Sequence, residues 1–248
     1  MMPKCQNSQQ RPAPFTDNRF RHELGVMTKT VRRGLNAFYT SECLDELWKE
    51  DELVRRKINQ NQELWVAFKS GLQADYVLVL HRLLDNHPNT QHSLTKFLRK
   101  IYNNPQLFSK EALEKRKMIG DYRPEHLTDY MVNAWTFNRS ALGDLDCQLA
   151  KYRCLYERDY RDLRNQVFAH IGTIDERRFD DLVARTNVKT LEEMFLFMWD
   201  LVRQLQDLFE NGNKPAPDRF NMPNRNEFRE SVRSIFIQDD VYRRSLPT

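Results

Sequence analysis

The stretch Thr190-Leu-Glu-Glu-Met-Phe-Leu-Phe-Met-Trp-Asp-Leu-Val-Arg-Gln-Leu-Gln-Asp-Leu-Phe209 decides the fold class of this chain. Its apolar residues recur every three or four positions, which places them along one face of an α-helix. Thr190 and Glu193 have the spacing of a capping box and predict where the helix starts, while Asn211-Gly212 predicts where it ends. The pattern therefore predicts a long helix with one wide buried face.

Helical spacing also dominates the sequence before this stretch. An apolar stripe runs through residues 20–38 behind a cap at Asp17 or Asn18, and a second helical pattern starts near Ser41. Residues 62–85 are almost entirely apolar in their second half, so we expect a central helix that is covered on most sides. A buried strand is the alternative, but this run is too long for a strand.

The remaining segments also predict helices. Two shorter helices are expected behind the N-caps Ser93 and Ser109. A second long helical region is expected to open at residue 128 or 129, to break near Gly143 and to close at Gly172. Together these elements account for most of the apolar residues of the chain.

The composition agrees with an all-helical protein. The chain has 7 glycines in 248 residues and few alternating runs of Val, Ile and Thr, which argues against a large sheet. We predict an all-α fold, a helical bundle of about five core helices with extra short helices and polar termini. Residues 1–16 are predicted to be a disordered tail, residues 17–212 the bundle domain, and residues 213–248 a linker with a short C-terminal helix and tail.

Charge and cysteine content restrict the class of function. The formal net charge of +4 permits a polyanionic partner but is lower than that of a dedicated nucleic-acid clamp. The four cysteines form no C-x-x-C pair and the N-terminus lacks the apolar core of a secretory signal, so we expect reduced thiols in a cytoplasmic protein, with Cys147 and Cys154 in the core. No apolar run reaches the ~18 residues of a membrane span, so no membrane partner is expected.

The strongest candidate for chemistry is Arg161-Asp-Leu-Arg-Asn-Gln-Val-Phe-Ala-His-Ile-Gly172. Arg164 could hold phosphate oxygens with its planar fork of donors, and His170 could exchange a proton near neutral pH. On an ideal helix these two side chains lie about 120° apart and ~9 Å along the axis. One phosphate therefore meets both only if the last turn loosens or if a second copy of the helix contributes.

Neighbouring residues could bind substrate or orient the histidine. Asp162, Gln166 and His170 share one helix face at positions i, i+4 and i+8, and Arg161 adds a cation beside them. The alternative is a helix-terminal histidine that the helix dipole favours and that has no chemical role.

Spacing alone does not select this site, because Arg82-Leu-Leu-Asp-Asn-His87 also fits an Arg–His pattern. We expect Arg82 to pair with Asp85 or with an acid on a neighbouring helix, and His87 to be solvated in a loop. Three tyrosines within residues 152–160 lie near the candidate site and could stack on bases, but their helical spacing favours packing in the core.

The candidate segment resembles a known signature. Leu163-Arg-Asn-Gln-Val-Phe-Ala-His170 is similar to the Arg-Asn/Asp-x-x-x-(x)-His signature of the HEPN superfamily, and more narrowly to its AbiU-type abortive-infection branch, which reads Arg-Asp/Asn-Lys-x-Phe-Ala-His. Val79-Leu-His-Arg-Leu-Leu-Asp85, followed by Ser93-Leu94 and Phe97-Leu98, resembles the Arg-Leu-x-Asp and Ser-Leu helices of that branch. The resemblance covers roughly residues 20–210.

This resemblance implies a helical bundle, usually a homodimer in which the Arg–His helices of two subunits face each other. For active members it implies metal-independent RNA cleavage in phage defence or toxin–antitoxin systems. Carried onto this chain, Arg164 would bind the scissile phosphate, Asn165 would be its polar partner, and His170 would assist proton transfer. Gln166 stands where a lysine is common, which removes one positive charge from the RNA cleft.

The sequence therefore predicts a metal-independent endoribonuclease whose site forms at a dimer interface. The expected partners are RNA, a second copy of the chain, and an antitoxin or defence protein, and neither a cofactor nor a metal is expected. The alternative is a non-catalytic helical module that dimerises and binds RNA or a partner protein. A third reading is a plain structural helical domain.

Overall fold

The computed structural model describes residues 14–90, 92–118, 120, 122–168, 182, 186–215 and 225–244, which fold into a bundle of helices. In chain order these are α1 Asp17–Glu50, α2 Glu52–Gln60, α3 Gln62–Leu84, α4 Leu94–Asn103, a 3-10 turn Pro105–Phe108, α5 Lys110–Lys117, α6 Leu127–Asn133, α7 Arg139–Asp159, α8 Arg161–Leu163, a π-helical turn Arg164–Phe168, α9 Val188–Asn211 and α10 Arg225–Arg244. The predicted all-α bundle is confirmed.

The core lies where α1, α3 and α9 meet. α1 packs against α3 and α9, and also against α2 and α10. The stretch 190–209 presents the predicted buried face, and both Phe195 and Phe209 are fully excluded from solvent. Since long apolar side chains dominate this contact, burial of apolar surface is the main stabilising term of the bundle.

Gly34 allows the three central helices to approach closely. A Cβ atom at this position would lie 2.5 Å from the Phe195 ring of α9 and 2.6 Å from the Val79 side chain of α3. A glycine inside a helix weakens that helix locally. Here the missing side chain makes room for its neighbours, so the local weakness is offset by tertiary packing.

The N-caps of the two long helices differ from those predicted. α9 begins at Val188, and the side chain of Asn187 accepts a hydrogen bond from the Thr190 backbone N–H at 3.1 Å. Thr190 therefore lies inside the first turn and the predicted capping box is wrong. α1 is capped by Thr16 rather than by Asp17 or Asn18. The predicted end of α9 is confirmed, because Gly212 adopts a left-handed conformation with φ of 63°.

The predicted second helix near Ser41 is a continuation of α1. Leu44 and Leu47 are buried after Ser41 and join a small separate cluster with Val232 and Phe236 of α10. This second cluster gives the helix a continued apolar stripe. α1 therefore runs for 34 residues without a break.

The predicted long region from residue 128 is divided at a different point. α6 ends at Asn133, and Asn138 caps α7 by accepting a hydrogen bond from the Ser140 N–H at 2.8 Å. Gly143 lies within α7 and not at a break. The predicted end at Gly172 lies outside the described residues.

Two burial predictions are also wrong in part. α3 is buried in its C-terminal half, but Leu64 and Val66 in its first half are 64% and 57% exposed. Cys147 and Cys154 are exposed on α7, not in the core. Both errors arise because one face of each helix has no packing partner among the described residues at these positions.

The last helix is longer than the short one expected. α10 runs for 20 residues and packs on α1 and α2. Two ion pairs join it to α1 and to the residue after α1, Arg229–Glu50 at 2.6 Å and Arg233–Asp51 at 2.8 Å. The predicted disordered tail falls mainly on residues 1–13, which lie outside the described residues.

Among the described residues, no helix combines the length and the apolar character that crossing a bilayer requires.

Candidate active site

The candidate segment follows directly from the end of α7. The ring of Tyr160 is buried there, and its hydroxyl donates to the Asn187 carbonyl and accepts the Asn187 N–H, both at 3.0 Å. These contacts fix the end of α7 against the start of α9. Leu163, buried to 6% exposure, then anchors α8 in the bundle.

Arg164 opens a π-helical turn that runs to Phe168. In such a turn each hydrogen bond spans five residues, so the turn is wider than in an α-helix, and turns of this kind are frequent at functional sites. On an ideal α-helix, Arg164 and His170 point in different directions, so one chain can bring them together only if the helix widens between them. The described part of the segment does widen, into a π-helix. His170 itself lies outside the described residues, so its distance from Arg164 stays a prediction.

The Arg164 side chain is half-buried and incompletely bonded. Its Nη1 donates to Oδ1 of Asn165 at 2.6 Å. Its Nε is buried and has no hydrogen-bond partner among the described residues. A buried donor without a partner is costly, so this guanidinium is prepared to bind an acceptor that the described residues do not supply.

The π-helical turn packs against α3 and brings Arg164 near His81 and Tyr156. Burial lowers the pKa of the His81 imidazole, and the charges of Arg164 and Arg161 lower it further, against the opposing effect of Asp85. Burial also raises the pKa of the Tyr156 hydroxyl, although Arg164 and Arg161 favour ionisation. His81 is therefore kept neutral and Tyr156 protonated near neutral pH.

The other predicted site residues surround this turn. Asn165 and Gln166 are half-buried within it, while Arg161 and Asp162 are exposed on α8. The structure thus brings Arg164 and Asn165 into direct contact. It places Arg161 at the solvent edge of the same site, close enough for its charge to act on His81.

The second Arg–His pair has a different environment. Arg82 is exposed and forms no ion pair with the described residues, so the predicted pairing with Asp85 or with an acid on a neighbouring helix is wrong. Asp85 instead accepts hydrogen bonds from the Thr90 hydroxyl and from the His87 N–H, which hold the turn after α3. His87 is exposed, as predicted.

The tyrosines near the site pack in the core, as their spacing indicated. Tyr156 and Tyr160 are 3% and 1% exposed. Tyr152 is half-buried, with its ring 4.7 Å from that of Phe197.

His81, which packs beside Tyr156, is the residue that sequence reasoning missed. Their ring centroids lie 6.0 Å apart. A signal was present for His81, since it is four residues after Val77 and three before Leu84, and both of these are buried.

Among the described residues, no group of three or more His, Cys, Asp or Glu side chains has the arrangement of a metal site.

Comparison with known proteins identifies the family. The AbiU2 family of HEPN proteins matches residues 15–230, which is most of the 248-residue chain. Neither the curated proteins nor the solved structures gave a match. The family match spans the whole of the site described above, including α3, α7 and the π-helical turn. The chain therefore belongs to the HEPN AbiU2 family and is an HEPN-like abortive-infection module.

Proposed function

We propose that this protein is a metal-independent endoribonuclease that acts in phage defence or as a toxin. The observation that carries the proposal is the state of Arg164. Its guanidinium is half-buried, tied on one side to Asn165, and left with a buried Nε that has no partner among the described residues. In a chain of the AbiU2 family, a phosphodiester oxygen is the acceptor that such a group fits.

The proposed reaction needs few groups. The RNA 2′-oxygen attacks the adjacent phosphorus, and the bond to the 5′-oxygen breaks. Arg164 stabilises the negative charge that develops on the phosphoryl oxygens, and Asn165 holds the guanidinium in place. His170 transfers a proton, either from the attacking hydroxyl or to the leaving oxygen.

The residues around Arg164 are proposed to bind and orient the RNA. Arg161 is an exposed cation beside the site and supplies a contact to the RNA backbone. Asp162 and Gln166 are proposed to orient His170.

A homodimer is proposed to complete the site. Two facing copies of the segment would let each phosphate meet Arg164 of one subunit and His170 of the other. A second copy would also supply more positive charge for RNA. Sedimentation at micromolar concentration should therefore give a dimer, and a monomer under these conditions would contradict a composite site.

The domain organisation proposed for this function is a bundle of residues 17–212 that carries the site. Residues 1–16 form a tail, and residues 213–248 connect to and include the last helix. The protein is proposed to work in the cytoplasm, where RNA and an antitoxin or defence partner are available.

Gln166 supports a second candidate function, a non-catalytic module that dimerises and holds RNA or a partner protein. The glutamine stands where a lysine is common in this branch, so the site has one cation fewer to stabilise a transition state. In this case Arg164→Ala would weaken binding, and no RNA product would appear.

The deciding experiment is RNA cleavage in EDTA by the wild-type protein and by Arg164→Ala and His170→Ala. The matched controls are Arg82→Ala and His87→Ala, which change the second Arg–His pair of similar spacing. We expect each site variant to lose about 10²–10³-fold in rate, the usual cost of removing a charge-stabilising or proton-transfer group. The controls should retain the wild-type rate.

Circular dichroism of all five proteins shows whether the helices are intact. Cleavage by His170→Ala at the wild-type rate would remove His170 from the mechanism. RNA binding without any product from the wild-type protein would favour the non-catalytic module.

A further inference from the structure

A second histidine, His81 of α3, lies beside the proposed phosphate-binding arginine. The imidazole is half-buried, and the π-helical turn that begins at Arg164 packs against this helix. Of the other described histidines, His22, His87 and His126 are exposed, and His92 is half-buried just before α4. His81 therefore combines a protected position with nearness to Arg164.

Two polar atoms at this site have no partner among the described residues. One is the hydroxyl of Tyr156, a side chain that is 3% exposed, and the other is Nε of Arg164. They belong to different elements, α7 and the π-helical turn, yet both side chains interact with His81. The Tyr156 ring centroid is 6.0 Å from that of His81, and the charge of Arg164 acts on the imidazole. Buried polar atoms without partners are rare, and a bound ligand is one reason that they persist.

The charged groups that act on His81 lie on the π-helical turn, on α8 and just after α3, and Tyr156 of α7 packs beside its ring. Arg164 on the π-helical turn and Arg161 on α8 disfavour the imidazolium, while Asp85, the residue after α3, favours it. Burial raises the pKa of Tyr156 on α7, so its hydroxyl stays protonated and adds no charge beside His81. The balance leaves His81 neutral near pH 7, the form that accepts a proton.

We propose that His81 is the general base of RNA cleavage and contacts the 2′-hydroxyl next to the phosphate that Arg164 binds. This inference rests on the ribonuclease function proposed above. The 2′-hydroxyl proton moves to a ring nitrogen of His81, the 2′-oxygen bonds to phosphorus, and the bond from phosphorus to the 5′-oxygen breaks. His170 supplies the proton that the departing 5′-oxygen takes. The products are a 2′,3′-cyclic phosphate and a 5′-hydroxyl, and no co-reactant is needed.

This assignment divides the two proton transfers of the reaction between two histidines. With His81 as the base, His170 needs only to act as the acid.

The first test is the pH dependence of cleavage of total cellular RNA by the wild-type protein, His81→Gln and the matched control His87→Gln. Loss of a general base lowers the rate about 10²–10⁴-fold. In the wild type, kcat/KM should fall as the pH drops through the lowered pKa of His81, because the base is then protonated. His81→Gln should lose both the rate and this acidic limb, while His87→Gln should keep both.

The outcomes separate this inference from the proposed function. If the wild type cleaves and His81→Gln matches His87→Gln in rate and pH profile, His81 is not the base and the ribonuclease function stands. If the wild type yields no product, the proposed function fails, and the role of His81 with it.

A second measurement does not need a folded His81 variant. Hydrogen–deuterium exchange at the imidazole C2 carbon, read by mass spectrometry, follows each histidine of the wild-type protein across pH. The probe is the RNA that the wild type cleaves, 2′-O-methylated at the cleaved nucleotide. We expect the probe to slow exchange at His81 and to leave His87 unchanged. Equal exchange at His81 with and without the probe would overturn the contact.

The same measurement on Arg164→Gln tests the electrostatic link. Removing the guanidinium charge should raise the pH at which the exchange rate of His81 is half-maximal, because that pH follows the pKa of the imidazole. An unchanged midpoint would show that Arg164 does not lie close enough to act on this imidazole.

Discussion

Tyr160 and Tyr156 lie about one helical turn apart at the end of α7 and are equally buried, but their hydroxyl groups differ. The Tyr160 hydroxyl makes two hydrogen bonds with Asn187 at the start of α9. The Tyr156 hydroxyl has no hydrogen-bond partner among the described residues. At the junction of α7 with α9 the tyrosine hydroxyl therefore has its hydrogen bonds. At the candidate site beside it, the Tyr156 hydroxyl and Nε of Arg164 have no partner among the described residues.

This difference separates the parts of the molecule that supply stability from the part proposed to supply chemistry. α9 contributes a continuous buried face and ends in completed hydrogen bonds. The π-helical turn holds the Arg164 guanidinium, whose buried Nε has no hydrogen-bond partner among the described residues. Such cost is tolerated where the surrounding structure fixes the geometry, and it concentrates at functional sites. Changes in the two regions should therefore have opposite effects on stability and activity.

The largest effect on stability is expected from Phe195→Ala in α9. The Phe195 ring is 0% exposed and lies 5.9 Å from that of Phe38, within the contact of α1, α3 and α9. Removing a buried phenylalanine costs about 3–5 kcal/mol, through lost burial and the cavity left behind. Denaturant unfolding followed by circular dichroism measures the change.

The matched control is Phe68→Ala, because the Phe68 side chain is 46% exposed on α3. Its cost should stay below about 1 kcal/mol, as for most surface positions. Equal losses from the two variants would contradict the assignment of the core to the contact of α9 with α1.

A smaller effect should distinguish the two tyrosines. Tyr160→Phe leaves the N–H and carbonyl of Asn187 without their partner, which costs about 1–3 kcal/mol. Tyr156→Phe removes a hydroxyl that has no partner among the described residues, so the free energy of unfolding should stay unchanged or rise. Thermal unfolding of the two variants compares them directly. A larger loss from Tyr156→Phe would show that this hydroxyl is bonded and would weaken the case for an incomplete site.

The sequence predicted the fold class because the spacing of the apolar residues shows which face of each helix is buried. It located the buried faces of α1 and α9 and the caps Ser93 and Ser109. It failed where a boundary depends on tertiary packing. The long α1 continues past Ser41 because α10 covers its end, and no local pattern contains that information.

The candidate site was predictable only in part, for a similar reason. The Arg–Asn pair was found from its own segment, and the structure joins the two side chains. His81 is distant from this segment in sequence, and only the packing of the π-helical turn on α3 brings it near. No sequence pattern predicts the π-helical turn itself. The sequence indicated only that Arg164 and His170 would lie about 120° apart on an ideal α-helix, so that a single chain could bring them together only by departing from that helix.

The smallest effect tests which residue begins α9. In the structure Asn187 is the N-cap, while Thr190 lies in the first turn and donates its backbone N–H to the Asn187 side chain. Asn187→Ala removes this acceptor and should cost about 1 kcal/mol, whereas Thr190→Ala should cost clearly less because its backbone N–H remains. Thermal unfolding measures both. The reverse order would restore the capping box of Thr190 and Glu193 and shorten α9. It would also move the start of α9 away from Tyr160, and the fully bonded junction would lose the contact that sets it apart from the site.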